Sequence, residues 1–83
     1  MDNTLAYLRE ILSNYTEQNA LCQQMYERVH KERYRSEGEF VRSLREEEIA
    51  FLNEILPEEI NHANEVNDRE RAYQLNEVYE LLI

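Results

Sequence analysis

Two histidines are the side chains with the most potential for chemistry, because each lies three residues after a glutamate. The pairs are Glu27-x-x-His30 and Glu59-x-x-His62. Residues three apart lie on one face of a helix, and two such pairs are half of the ligand set of a di-iron carboxylate bundle. Glu48 is a candidate for a further carboxylate ligand. Because the chain holds 16 glutamates, the spacing also arises by chance, and solvated helix flanks are the competing interpretation.

Glu48 is the most informative single residue, because it lies in the middle of the apolar face of a predicted helix. A buried carboxylate is costly unless it is hydrogen bonded. In a helical hairpin that turns near residues 36–37, Glu48 lies opposite Tyr26, so the Tyr26 hydroxyl or a basic residue such as Arg33 is the expected partner. A general base is the alternative role, but no nucleophile, oxyanion donor or cofactor loop accompanies it. We therefore predict a structural glutamate in a protein that is not an enzyme and binds no cofactor.

Four basic side chains cluster at the end of the first apolar segment, namely Arg28, Lys31, Arg33 and Arg35. Cations collect at the C-terminus of a helix because they complement its dipole and its unpaired carbonyl groups. The functional alternative is a docking patch for an acidic partner or a phosphate. These four residues are the predicted interaction site.

The single cysteine, Cys22, lies on the apolar stripe of the first predicted helix. This position predicts a buried and inert thiol, and a disulfide to a second chain across a dimer is the alternative. His30 lies about 12 Å farther along the helix axis, which excludes a direct Cys–His catalytic pair within the chain. Since one cysteine cannot form an internal disulfide, we expect a reducing compartment.

Length and composition exclude several classes of protein. The chain has 83 residues, a net charge of −9 and only one glycine. A single glycine rules out a Gly-rich phosphate-binding loop. No apolar run approaches the roughly 18 residues of a membrane-spanning helix, and the negative charge opposes binding to nucleic acid or to anionic membranes. We expect a single helical domain over residues 1–83, with no nucleic acid and no membrane among its partners.

Apolar residues recur at spacings of three and four along the chain, which is typical of amphipathic helices. The pattern predicts an all-α protein, a three-helix bundle with helices over about 4–35, 37–56 and 57–81. The third helix has the thinnest apolar stripe, and this stripe includes Val66 and Tyr73. Short connections favour antiparallel packing of neighbouring helices.

Two breaks define these helices. Ser36 and Glu39 have the spacing of a capping box, which places Gly38 in the first turn of the second helix. The alternative is that Gly38 ends the first helix as its C′ residue. Pro57 is well tolerated at the start of a helix, so it begins the third. In the alternative architecture, a helical hairpin, the second helix is instead kinked at Pro57.

The first predicted helix is long for the core that one small chain can offer. Asn19 interrupts its apolar stripe at a position that should face a partner. We therefore expect a homo-oligomer, a dimer in the simplest case, or binding to another protein.

Several short segments carry a resemblance to a known family. They are Thr4-Leu5, Tyr7-Leu8-Arg9-Glu10, Leu12-Ser13-Asn14, Glu39-Phe40-Val41, Phe51-Leu52-Asn53 and Leu75-Asn76-Glu77-Val78-Tyr79-Glu80-Leu81-Leu82. Together they resemble the sigma-G-dependent, sporulation-specific small acid-soluble spore protein family of Bacillus. These segments specify no chemistry, so the resemblance implies a biological context and no catalytic residues.

The resemblance implies expression in the developing forespore and a part in sporulation. It does not imply the DNA-coating role of the α/β-type small acid-soluble proteins, which are richer in glycine. We therefore expect a non-enzymatic, acidic helical protein of the developing spore, located in the cytoplasm of the forespore or spore core. It would act through protein–protein contacts. The alternative function is a metal-binding helical bundle that uses the two E-x-x-H pairs.

Overall fold

Helices account for most of the chain. The structure, a computed structural model, describes residues 4–31 and 34–82. These residues form five helices and no strand, so the predicted all-α class is confirmed. The helices are α1 (Thr4–Ser13), α2 (Ala20–Lys31), α3 (Glu37–Arg42), α4 (Glu46–Glu65) and α5 (Arg69–Leu81).

The first predicted helix, over 4–35, is wrong as a continuous element, because the chain leaves the helical conformation between α1 and α2. Asn19 causes this break. Its side-chain Oδ1 accepts the backbone N–H groups of Leu21 at 2.9 Å and Cys22 at 3.2 Å. An asparagine that bonds the free N–H groups of a first turn is a strong helix start. Asn19 therefore caps α2, whereas its place in the apolar stripe predicted a position facing a partner.

The second predicted helix, over 37–56, is divided into α3 and the first part of α4. Ser36 caps α3 as predicted, since its hydroxyl accepts the N–H of Glu39 at 3.3 Å. Gly38 lies inside α3 with a negative φ, so the alternative in which it ends the preceding helix is wrong. Helix α3 ends directly before Ser43. The Ser43 hydroxyl donates to the carbonyl of Phe40 at 2.6 Å and so satisfies one of the carbonyl groups left unpaired at the end of the helix.

The predicted boundary at Pro57 is wrong, because α4 continues through this residue to Glu65. A proline inside a helix removes one backbone hydrogen bond and costs about 3 kcal/mol. Burial of apolar side chains on both sides of it, including Leu56 before and Ala63 after, outweighs this cost. A helix that continues through Pro57 was instead a feature of the alternative prediction, the helical hairpin.

The third predicted helix, over 57–81, is interrupted at Asn67. This residue adopts a left-handed backbone conformation with φ of 62°, which asparagine tolerates better than most residues. Its neighbour Asp68 then accepts the N–H of Arg71 at 3.2 Å and caps α5. The turn between α4 and α5 is consequently only three residues long.

The two C-terminal helices form the main packing unit, because α4 makes its most extensive contacts with α5. On this unit, α1 packs against both α2 and α5, α3 packs against α5, and α2 contacts α4. The core contains one continuous cluster of buried side chains drawn from all five helices and the adjoining Leu82. Its members are Leu8, Ile11, Leu12, Cys22, Met25, Phe40, Leu52, Ile55, Leu56, Leu75, Val78 and Leu82.

Candidate functional site

Glu48 is fully buried in the first turn of α4, as its place on the apolar face predicted. Its Oε1 accepts two hydrogen bonds, one from the Arg28 guanidinium at 2.8 Å and one from the backbone N–H of Arg45 at 2.9 Å. Arg28 is therefore the counter-ion. The expected Tyr26 partner is wrong, since the Tyr26 ring instead stacks on His30, and Arg33 lies outside the described residues.

The ion pair joins two helices. Arg28 comes from α2 and Glu48 from α4, and the Arg28 side chain retains only 27% of its exposure. The other carboxylate oxygen, Oε2, and the Nε of Arg28 are buried without a hydrogen-bond partner. A buried charge loses much of its hydration, so each ion depends on the other for compensation. The pair thus holds α2 against α4, and both charges are used inside the molecule.

The metal-ligand candidates are not brought together. Glu27, His30 and His62 are exposed, Glu59 is half-buried, and Glu48 is paired with a cation. Within residues 4–31 and 34–82, no group of three or more histidine, cysteine, aspartate and glutamate side chains could hold a metal ion. The two E-x-x-H pairs therefore lie on the flanks of α2 and α4, and the described part of the chain does not bring the candidate ligands into one group.

The predicted basic interaction site is divided by the structure. Arg28 turns inward to Glu48, whereas Lys31 and Arg35 are exposed. Arg33 lies outside the described residues. The guanidinium of Arg28 is therefore used in an internal ion pair and is not part of an exposed basic patch.

A second set of charges joins α1 to α5, and no pattern in the sequence predicts it. Arg71 donates to Glu10 at 2.8 Å, lies 3.5 Å from Asp68, and places its guanidinium carbon 4.9 Å from the centre of the Tyr7 ring. The hydrogen bond to Glu10 raises the pKa of Arg71 above its usual value. Glu10 and Arg71 are 61 residues apart, so spacing gives no signal for this contact.

Cys22 is buried, as predicted, and its thiol donates to the carbonyl of Leu12 at 3.2 Å. Burial raises the pKa of the Cys22 thiol to about 11. Since the thiolate is the reactive form of cysteine, a raised pKa makes this side chain inert near neutral pH. The hydrogen bond from the thiol to the Leu12 carbonyl joins the end of α1 to the start of α2.

The exposed surface of α5 is the remaining candidate, and it includes a residue that was assigned to the core. Tyr73 is 68% exposed and Val66 is 59% exposed, so their predicted place in the apolar stripe is wrong. The buried positions of α5 are Ala72, Leu75 and Val78. These buried residues are three positions apart and define the inner side of α5. Tyr73 follows Ala72 directly and therefore points away from the core. The spacing of the buried residues is the sequence signal that could have revealed the exposure of Tyr73.

Tyr73 lies on a ridge of exposed side chains that we name the α5 face, consisting of Arg69, Tyr73, Asn76 and Glu80. Shallow grooves run along both sides of the ridge, and Tyr73 lines each of them. The first groove also includes Ile60, Asn64, Asn67 and Ala72. The second includes Glu37, Glu77 and the 48% exposed Leu81.

Local hydrogen bonds order this ridge. The Asn76 amide donates to Glu80 at 2.7 Å, and the nearby Glu77 carboxylate raises the pKa of the Tyr73 phenol above its usual value. Interactions between residues four apart on a helix reduce the entropy that these side chains lose on binding. An exposed tyrosine with hydrogen-bonding neighbours is the type of residue that is enriched in protein interfaces. The α5 face can therefore make both apolar and polar contacts.

No helix in the described ranges is both long enough and apolar enough to cross a membrane. No solved structure matches the chain.

Comparisons with known proteins give two matches over the full length. The family model described as "Minor curli fiber component A" matches residues 1–83. The chain is also 49% identical over 83 residues, covering 100% of both proteins, to the "Sigma-G-dependent sporulation-specific SASP protein" of Bacillus subtilis (strain 168). The first description names a fibre component, and the second names a sporulation-specific protein. The resemblance found in the sequence is confirmed, and the chain belongs to the family of this sigma-G-dependent sporulation-specific SASP protein, which it matches from end to end.

Proposed function

We propose that this chain is a non-enzymatic helical protein of the developing spore that acts through protein–protein contacts. Its full-length relative is named for sporulation-specific expression, and this supports a place in the spore. Both matches cover the whole chain, and the proposal follows the relative rather than the fibre description of the family model, because 49% identity to a single protein is a direct sequence relationship.

The observation that carries the proposal is the exposure of Tyr73 in the middle of the α5 face. Burying a tyrosine side chain contributes strongly to association, and tyrosine is among the residues that dominate measured binding energies. Tyr73 is the most exposed of the large apolar side chains in the described residues, and it lines grooves on both of its sides. A partner that enters these grooves would bury apolar surface and find hydrogen-bonding groups at the edges.

The charged side chains near the core support a structural rather than a reactive role. Arg28 neutralises Glu48, and Arg71 is engaged by Glu10, Asp68 and the Tyr7 ring. Cys22, the one potential thiol nucleophile, is buried and bonded to a backbone carbonyl. These side chains fix the positions of the helices. Contacts with other molecules would then be made by the exposed side chains on the surface.

Affinity purification from sporulating cells tests the proposal. The chain would carry the same N-terminal tag in every variant, and captured proteins would be quantified by mass spectrometry. We expect the wild type to retain a specific protein, a further copy of itself included, that the Tyr73→Ser variant loses. Tyr26→Ser on α2 is the matched control and should retain it.

Circular dichroism must show the same helix content for both variants before the captures are compared. If the wild type captures nothing beyond an unrelated tagged protein, the proposal is overturned. It is also overturned if Tyr73→Ser and Tyr26→Ser retain equal amounts of the captured protein.

A further inference from the structure

We infer that the α5 face binds the α5 face of a second copy of this chain, with the two helices antiparallel. The inference rests on the proposed function, since it identifies the partner that the exposed surface serves. It follows from the order of side chains along the ridge.

The four ridge residues lie at spacings of four, three and four, so they share one side of α5. Arg69 is at the first residue of the helix and Glu80 is near its end, about 16 Å away along the axis. Tyr73 and Asn76 lie between them. The face is therefore positive at one end, negative at the other and aromatic in the middle.

A two-fold axis between Tyr73 and Asn76 makes this order self-complementary. It places Arg69 of one copy opposite Glu80 of the other, and it does so twice. It also places Tyr73 opposite Asn76, again twice. A parallel arrangement would instead place Arg69 against Arg69 and Glu80 against Glu80, and like charges in contact are strongly unfavourable. The charge order thus selects the antiparallel dimer.

The side chains needed for these pairs are accessible. Arg69 is exposed and forms no ion pair with any described side chain. Glu80 is exposed and is bonded to the neutral amide of Asn76, an interaction that a guanidinium can replace or share. Each Arg69 would gain its first ionic partner in the dimer.

The shape of the surface also fits a second helix. A ridge flanked by two grooves is the surface that helices use when they interlock, because the ridge of one enters the groove of the other. In the dimer, each Tyr73 would enter the groove beside α5 of the second copy, where Ile60 and Ala72 provide apolar contact. Two copies would thereby cover the most exposed apolar side chain of the described surface.

The contact is small, so the dimer should be weak. A helix of 13 residues is about 20 Å long, and one helix face against another falls at the small end of specific interfaces. Each copy also carries a net charge of −9. At about 0.15 M salt, the range of the repulsion between the two negatively charged molecules is limited to about 8 Å. Ion pairs in direct contact are shorter than this range and are retained.

Sedimentation equilibrium of the full chain tests the inference, with reductant present and loading from about 10 to about 500 µM. We expect a monomer–dimer equilibrium for the wild type. Arg69→Glu and Glu80→Arg should each weaken the dimer by about tenfold or more, because each change turns both ion pairs into like-charge contacts. The combined variant R69E/E80R restores both pairs in reversed order, so its dimer should return to within about threefold of the wild type.

These variants should stay folded, because Glu at the first position of α5 and Arg near its end both agree with the helix dipole. Lys31→Glu is the matched control for charge reversal at an exposed site on α2, and it should leave the dimer unchanged. Tyr73→Ser should weaken the dimer by about tenfold or more.

Several outcomes would overturn the inference. These are a wild type that stays monomeric over the whole concentration range, single variants that dimerise like the wild type, a combined variant that fails to recover, or a dimer that only Lys31→Glu disrupts. Filaments would also overturn it, because a two-fold contact closes on itself and cannot propagate. A strictly monomeric chain that still captures another protein through Tyr73 would disprove the dimer while leaving the proposed function intact.

Discussion

Arg28 on α2 and Glu48 on α4 meet across the core with 2.8 Å between Nη2 and Oε1, and the same carboxylate oxygen accepts the N–H that precedes α4. One buried oxygen thus fixes both the start of a helix and its attachment to another. The Glu48 carboxylate is therefore part of the architecture of the chain.

Removing the guanidinium of Arg28 should be costly. Arg28→Ala leaves the buried Glu48 charge without its counter-ion, and we expect the free energy of unfolding to fall by about 2–3 kcal/mol. Urea denaturation followed by circular dichroism measures the change. Lys31→Ala, at an exposed site on the same helix, is the control and should change stability by less than about 0.5 kcal/mol.

A second variant separates the lost charge balance from lost packing. Glu48→Gln removes the charge but keeps an oxygen for the N–H of Arg45. The combined variant R28A/E48Q should therefore be more stable than Arg28→Ala alone. Equal stabilities of these two proteins, or equal effects of Arg28→Ala and Lys31→Ala, would contradict a structural ion pair.

The Cys22 thiol should be protected in the folded protein. With its pKa raised to about 11, the thiolate is scarce at pH 8, so an aromatic disulfide reagent should react slowly with the native chain and at once in denaturant. The absorbance of the released thiol measures both rates. Comparable rates in the two states would show that the site is open to solvent.

The same pKa shift predicts the direction of a pH effect on stability. An unfolded cysteine ionises near pH 8.5, well below the folded thiol, so the unfolded state releases its proton first as the pH rises. The stabilising contribution of the neutral thiol is complete below about pH 8.5 and is lost as the pH approaches about 11. Unfolding free energies of the wild type should therefore fall more steeply over this interval than those of Cys22→Ala, and parallel curves would refute the shift.

The side chain of Asn19 should contribute measurably to helix formation. Asn19→Ala removes both hydrogen bonds to the first turn of α2 and should lower the free energy of unfolding by about 1 kcal/mol. Asn19→Asp, which retains the accepting oxygen, should cost much less. Asn14→Ala in the same connection is the control, and an equal loss in Asn14→Ala and Asn19→Ala would argue against a capping role.

Replacing Pro57 should stabilise the protein. Alanine at this position restores an N–H donor for the carbonyl of Asn53, four residues earlier, and relieves the crowding by the proline ring. The gain should be about 1–3 kcal/mol, reduced by the greater freedom that alanine gives the unfolded chain. Thermal and urea unfolding measure it, with exposed Glu58→Ala as a nearly neutral control. A loss of stability would mean that the proline ring itself contributes essential packing.

The sequence was informative where local chemistry decides the structure. Apolar spacing predicted the all-α class, the spacing of Ser36 and Glu39 predicted a helix start, and the apolar stripes predicted burial of Glu48 and Cys22. Each of these features depends on neighbours within one or two turns. The segments shared with the spore protein family likewise required no knowledge of the fold.

The remaining features depend on competition between local and tertiary effects. Pro57 alone favours a boundary, but the buried side chains around it keep α4 continuous. Between α2 and α4 the chain forms the separate helix α3 and its flanking turns, so the simple hairpin that placed Tyr26 opposite Glu48 does not form. Arg28 is the partner of Glu48 instead. The helix predicted over 57–81 extended the apolar stripe from Val66 to Tyr73, but the turn at Asn67 ends that helix, and α5 buries Ala72 instead of Tyr73.

The short turn at residues 66–68 has a consequence for the order of folding. Closing three residues costs little chain entropy, and α4 and α5 make the most extensive contacts in the molecule. We expect this hairpin to be structured in the transition state. The contact between Arg71 and Glu10 closes a far longer loop and should form late. Substitutions of side chains at the contact between α4 and α5 should then slow folding. Removal of the Glu10 carboxylate should mainly accelerate unfolding.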